Sequence, residues 1–152
     1  MGIRQMVRRE IGDHPLVRFN VNASAGAKSY GQELLSNQWC LTAPGMGFGV
    51  RIVDYVASGC IPVVVRPGRL SLPYEPDLDY GGFAVSVRFD QIASLPALLD
   101  EMSDEQIRRK RERLREVHRL FIWDEEYGRA YEYTRELTLR RLNATASSSG
   151  IR

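Results

Sequence analysis

The chain predicts an α/β fold: a parallel sheet flanked by helices, with a helical carboxyl-terminal extension. Three observations predict it. Strand-like and helix-like segments alternate through the first two thirds of the sequence, and helices alone fill the last third. Cys60 to Val65 is an apolar, β-branched run, the pattern of a strand buried on both faces of a parallel sheet. A glycine loop, Pro44 to Gly49, joins a short strand to a helix, the connection found where open sheets of this class bind ligands.

Taken in order, Ile3 to Ile11 reads as a short helix and Leu16 to Val21 alternates as a strand. The Gly/Ala/Ser segment Asn22 to Ser29 reads as a loop. Tyr30 to Ser36 is a short helix expected to pack Leu34 and Leu35, and Gln38 to Thr42 a short strand. After the glycine loop, Val50 to Ser58 has helical apolar spacing, and Gly59 stands where a left-handed cap glycine belongs. Cys60 to Val65 is the buried strand. Arg66 to Gly82, rich in Pro, Gly, Asp and Ser, is a long irregular loop, a length that usually serves function. Phe83 to Val87 alternates as a strand, and Ile92 to Met102 is a helix with Leu95, Leu98 and Leu99 on one side. Ser103 and Gln106 form a capping box that opens a helix with the stripe Ile107, Leu114, Val117 and Phe121. A last helix is expected near Asp124, whose acids suit the dipole, with Trp123, Tyr127, Ala130, Tyr131, Thr134 and Leu137 buried. Residues 1–142 are read as one domain and Asn143 to Arg152 as a disordered tail.

Composition narrows the function classes. The chain has 152 residues, 43% apolar and 26% charged, enough for one core. Its net charge of +2 gives no general attraction to nucleic acid or anionic membrane. Arg108 to Arg115 lie mostly off the apolar stripe and alternate with Glu112 and Glu116, the pattern of a solvated face. No apolar run approaches the roughly 20 residues of a membrane span, and the first residues contain no secretory h-region, so the chain is read as carrying no address of its own. Cys40 and Cys60 are read as buried thiols acting as small hydrophobes on neighbouring strands. Asn22-Ala-Ser24 and Asn143-Ala-Thr145 have the form of glycosylation acceptors, a loose pattern that acquires weight only with a secretory context.

The most informative constellation is the strand, glycine loop and helix from Gln38 to Ser58. Gly45, Gly47 and Gly49 let backbone approach a phosphate, and free N–H groups at a helix start point at it. Arg51, on the first turn, adds a fixed charge and a forked donor. Asp54, three residues on, shares its face and can reach a ribose hydroxyl pair. On spacing alone the glycines fit a phosphate site or a simple tight turn, and Arg51 with Asp54 fit a surface pair.

These residues belong to a longer series. Leu35-Ser36-Asn37-Gln38-Trp39-Cys40-Leu41-Thr42-Ala43-Pro44-Gly45, then Arg51-Ile52-Val53-Asp54, Gly59-Cys60-Ile61-Pro62-Val63-Val64, Leu72-Pro73-Tyr74-Glu75 and Leu78-Asp79-Tyr80-Gly81-Gly82-Phe83-Ala84-Val85 resemble the exostosin-type glycosyltransferases in order and spacing, across roughly Ser29 to Phe121. The resemblance implies an inverting, two-domain enzyme of GT-B type, and this chain matches its carboxyl-terminal, Rossmann-like half, which binds the nucleotide-sugar donor. The family's diphosphate-facing arginine falls on Arg51 and its ribose-facing acid on Asp54. Two departures stand out: the family usually has Glu at position 54 and Ser at position 49. The substrates implied are a nucleotide sugar, UDP-linked, and a glycan acceptor, with no further cofactor and no metal. The amino-terminal half, with the acceptor site, the catalytic base, the membrane anchor and the Golgi address, has no counterpart in the match. Catalytic residues are therefore unassigned: His14 and His118 are both read as structural. Alone, the chain is expected to bind donor weakly and transfer nothing.

Three rivals remain open. Asp77-Leu78-Asp79 has the Asp-x-Asp form of a metal-diphosphate site, but stands in the Leu-x-Asp-aromatic block and is read as loop structure. A non-catalytic interaction module would use an exposed aromatic loop around Tyr74 and Tyr80. An RNA binder would use Arg108 to Arg119 and show steep salt dependence.

Overall fold

A computed structural model describes residues 2–15, 17, 27–43, 51–66 and 71–149. The glycine loop lies outside the described residues, as does the strand expected over Leu16 to Val21 except for Val17, which is not in a strand and whose N–H donates to His14 O. Among those described, three strands form one sheet in the order β1 (Trp39–Thr42), β2 (Ile61–Val65), β3 (Val85–Val87), all parallel. Trp39 pairs with Ile61 and Thr42 with Val64, while Val63 pairs with Val85 and Val65 with Val87. All five residues of β2 are buried, as a central parallel strand covered on both faces requires.

The two faces carry separate cores. Val63, Val65, Val85 and Val87 pack with Val7 and Ile11 of α1 (Ile3–Ile11) and with Leu95 of α4 (Leu95–Asp100). Val64 faces the other way, to Ile52 and Val56 of α3 (Arg51–Ser58) and to Leu114, Val117 and Phe121. The latter three belong to α5 (Asp104–Val117) and the 3-10 turn after it. Helix α2 (Ala27–Ser36) leans on α3 through Leu34 and Tyr30 in a third cluster.

Helix ends follow the expected chemistry. Gly59 has φ 77°, its N–H donates to Val56 O and the next N–H, of Cys60, donates to Tyr55 O. That pair of bonds is a Schellman ending, and it delivers the chain directly into β2. At α5, Gln106 N–H donates to Ser103 Oγ and Ser103 N–H to Gln106 Oε1. The arginines of α5 are spent on neighbouring acids: Arg108 on Glu105 and Glu112, Arg109 on Glu105, Arg113 on Glu116.

Several expectations are corrected. Helix α2 starts at Ala27, inside the segment read as loop, and Leu35 is 74% exposed, because only Leu34 points at the third cluster. The helix read as Ile92 to Met102 is α4 alone, preceded by a 3-10 turn at Phe89–Gln91. The last helix, α6 (Ala130–Ser149), begins six residues after Asp124. The acid caps a turn instead, with Glu126 N–H and Tyr127 N–H donating to Asp124 Oδ1. A Cβ on Gly128 would stand 2.0 Å from Ile122 O, so the backbone doubles back there and cannot continue as helix. The buried face of α6 is accordingly Ala130 and Leu137, whereas Trp123, Tyr127 and Tyr131 are 61%, 51% and 70% exposed. Helix α6 runs through Asn143–Ser149, where a disordered tail was expected.

The cysteines are also corrected. Cys40 and Cys60 form a disulfide, with Cα atoms 5.8 Å apart, buried beside Leu34 and Tyr55. Cys40 lies in β1 and Cys60 immediately before β2, so the parallel pairing that was expected to bring the thiols near each other brings them within bonding geometry.

Candidate functional site at the carboxyl edge of the sheet

Parallel strands end on one edge, and the residues that follow them are gathered there. Strand β1 exits at Thr42 towards the glycine segment, and α3 returns from it with Arg51 as its first residue. Gly45, Gly47 and Gly49 lie outside the described residues. Arg51 is exposed, and Asp54 is half-buried one turn along the same helix. They do not bond each other: Tyr30 OH, from α2, donates to Asp54 Oδ2 at 3.2 Å. Burial first, and then the Asp54 charge, push the Tyr30 phenol up to about 12, so it stays a donor at every physiological pH.

Strand β2 exits next to β1. Arg66 N–H donates to Val87 O, carrying the β2–β3 ladder one step further, and the Arg66 guanidinium meets the Glu75 carboxylate at 2.7 Å. Glu75 also accepts from Leu72 N–H at 2.9 Å. Burial works to raise the Glu75 carboxyl, but the hydrogen bonds from Arg66 and Leu72 and the Arg66 charge outweigh it and hold the group below its usual range. An open cleft of about 510 Å³ lies here, lined by Arg66, Glu75, Asp79 and Tyr80 among others.

Tyr74 fixes the turn that presents Glu75. Its φ of 67° is left-handed, a strained setting for a bulky residue, held by edge contacts to Phe121 and Tyr133 at 5.3 and 5.0 Å and by a hydrogen bond with Thr134 Oγ1. Tyr80 is buried, its OH donating to Pro73 O, and burial raises its phenol well above the ordinary value. The aromatic loop expected to be exposed around Tyr74 and Tyr80 is thus part of the core. Lys110 Nζ donates to Gly81 O and Ala84 O, tying α5 to the turn after Tyr80.

The remaining sequence candidates are occupied. Asp77 pairs with Arg141 at 2.6 Å, and Asp79 Oδ1 accepts from Gly81 N–H as the cap of the following turn, with buried Leu78 between them. His118 has Nδ1 2.6 Å from Arg115 O and Nε2 2.6 Å from Tyr127 OH, both nitrogens engaged in holding the chain after α5. His14 closes the turn after α1, its N–H donating to Ile11 O. Arg66 and Glu75 were not singled out from the sequence. Their signal was an arginine at the end of a fully apolar strand and an acid inside one of the matched blocks.

The Exostosin GT47 domain model matches residues 3–102. An exostosin-1 homolog of Caenorhabditis elegans is 32% identical over 92 residues, 59% of this chain and 24% of that protein. A probable glycosyltransferase of Arabidopsis thaliana is 30% identical over 94 residues, 61% of this chain and 18% of that protein. The chain spans about a quarter and a fifth of the length of these relatives. With the family model matched over residues 3–102, a range that contains all three described strands and Arg51 to Glu75, the chain belongs to the Exostosin GT47 domain family.

Proposed function

We propose that this chain is the donor-binding half of an exostosin-type glycosyltransferase, holding a UDP-sugar at the carboxyl edge of its sheet. The observation that carries the reading is the convergence, on one edge of a parallel sheet in a chain of this family, of Arg51 and Asp54 after β1 and of Arg66 and Glu75 after β2. Arg51 supplies a charge for the diphosphate and Asp54, oriented by Tyr30, accepts from ribose hydroxyls. The glycines before α3 let the backbone reach the phosphates. In this reading the complete enzyme transfers the sugar with inversion to a glycan acceptor. Acceptor and catalytic base then belong to a second half, corresponding to the length of the relatives that the chain does not span.

A Golgi-type setting fits the reading. Disulfides persist in oxidising compartments, and Cys40 is joined to Cys60. Among the described residues no helix is long and apolar enough to cross a membrane.

The test is a titration of UDP into the isotope-labelled chain, with and without Mn²⁺, followed by backbone amide shifts. Metal-independent shifts at Gly45 to Asp54 and around Arg66 are expected. A folded sample with no shifts removes the donor-site reading for this chain, and shifts that appear only with Mn²⁺ move the site to Asp77 and Asp79.

A further inference from the structure

We infer that Asn143 is an N-glycan acceptor, modified when the chain folds in an oxidising secretory lumen. Three observations carry this. Asn143-Ala144-Thr145 has the acceptor form, with the hydroxyl residue two positions after the asparagine. All nine residues 138–146 are exposed, and among the described side chains of α6 Leu137 is the last that is buried, so a glycan on Asn143 projects into solvent. And the buried Cys40–Cys60 disulfide gives the chain the secretory context without which such a motif carries little weight. The other match, Asn22-Ala23-Ser24, lies outside the described residues.

Geometry sets the order of events. In the finished helix Thr145 Oγ1 donates to Arg141 O at 2.8 Å, so its hydroxyl is already used. Transfer therefore precedes completion of α6. This end of the helix is tied down through Arg141, which reaches Asp77 and Glu75 O, and beyond that residue no described side chain is buried, so it is the part of α6 expected to open most readily. The Asn143 amide nitrogen attacks the anomeric carbon of a lipid-diphosphate-linked oligosaccharide. A C–N bond forms as the C–O bond to the diphosphate breaks, the lipid diphosphate leaves, and the amide proton passes to a base of the transferase. Leu139, one turn earlier on the same face and 46% exposed, comes under the glycan.

The test is expression of the full chain behind a cleavable secretion signal in glycosylating eukaryotic cells. The expected result is a mobility shift, lost on peptide N-glycosidase treatment, with Asn143 recovered as aspartate in the peptide mass spectrum. Asn143→Gln and Thr145→Ala should each lose that signal, and Asn22→Gln and Thr145→Ser should keep it. A secreted chain with Cys40 and Cys60 oxidised and an unmodified Asn143 peptide overturns the inference. The wild-type peptide mass decides the matter even where a variant fails to be secreted. Free thiols at Cys40 and Cys60 together with an unmodified Asn143 in that sample overturn the inference equally, since the secretory context falls with the disulfide.

Discussion

Asp54 takes its orientation from Tyr30, the one hydroxyl that reaches its carboxylate among the described hydrogen bonds. Tyr30→Phe removes that bond and leaves the ring in place, so the expected cost is about 0.5–1.5 kcal/mol of stability in urea denaturation. UDP affinity should fall by less than about tenfold, because the carboxylate remains but is no longer held. Glu75 offers a pH signature. Its folded pKa lies below the ordinary 4.5, so the Arg66–Glu75 pair contributes fully above that value and loses its contribution as pH falls through the folded pKa. Thermal melts of the wild-type chain should therefore decline more steeply below about pH 4.5 than those of Glu75→Gln, which has no proton to take up. Parallel curves would show that the pair contributes nothing. At Gly59 the left-handed φ of 77° is the whole issue, since a Cβ there meets nothing within 4 Å. Gly59→Ala should cost about 1 kcal/mol in the same denaturation assay.

The disulfide acts between elements, fastening the start of β2 to β1 across a sequence separation of 20. Closing a loop of that size restricts the unfolded chain by about 3 kcal/mol. The double variant Cys40→Ser with Cys60→Ser should lower stability by about that amount, read as a shifted denaturation midpoint. Loss of less than about 1 kcal/mol would mean that the core around Leu34 and Tyr55 holds the strands without it. Elements also show what the sequence carried and what it withheld. The order of strands and helices, the Schellman ending at Gly59 and the capping box at Ser103 were legible because each is fixed within a few residues. The start of α6 was not, because Asp124 fits a helix cap and a turn cap equally well. The decision came from the turn between Ile122 and Ala130, where Ile122 O fills the space a Cβ on Gly128 would need and accepts from Ala130 N–H, a geometry no residue pattern announces. The disulfide was missed because neighbouring strands were expected but their register was not, so the two cysteines were read as free buried thiols.

At the scale of the whole molecule, the candidate site was half legible. Arg51 and Asp54 could be found because helix spacing puts them on one face, whereas Arg66 and Glu75 are nine residues apart and meet only where the left-handed Tyr74 sets the turn that presents Glu75. The two arginines now make opposite predictions. Arg51 is exposed and belongs to none of the ion pairs among the described residues. Arg51→Ala should leave stability within about 0.5 kcal/mol. It should also weaken UDP binding by about tenfold or more, the worth of a charge-assisted hydrogen bond to phosphate. Arg66 is three-quarters covered and bonds both Glu75 and Ser86 Oγ. Arg66→Ala strands the Glu75 carboxylate and should cost about 1–2 kcal/mol of stability. Measuring both variants by denaturation and by UDP titration separates binding from scaffold. If Arg51→Ala binds UDP as the wild type does, the diphosphate does not sit at the start of α3. The donor cleft would then have to be sought around Arg66 alone.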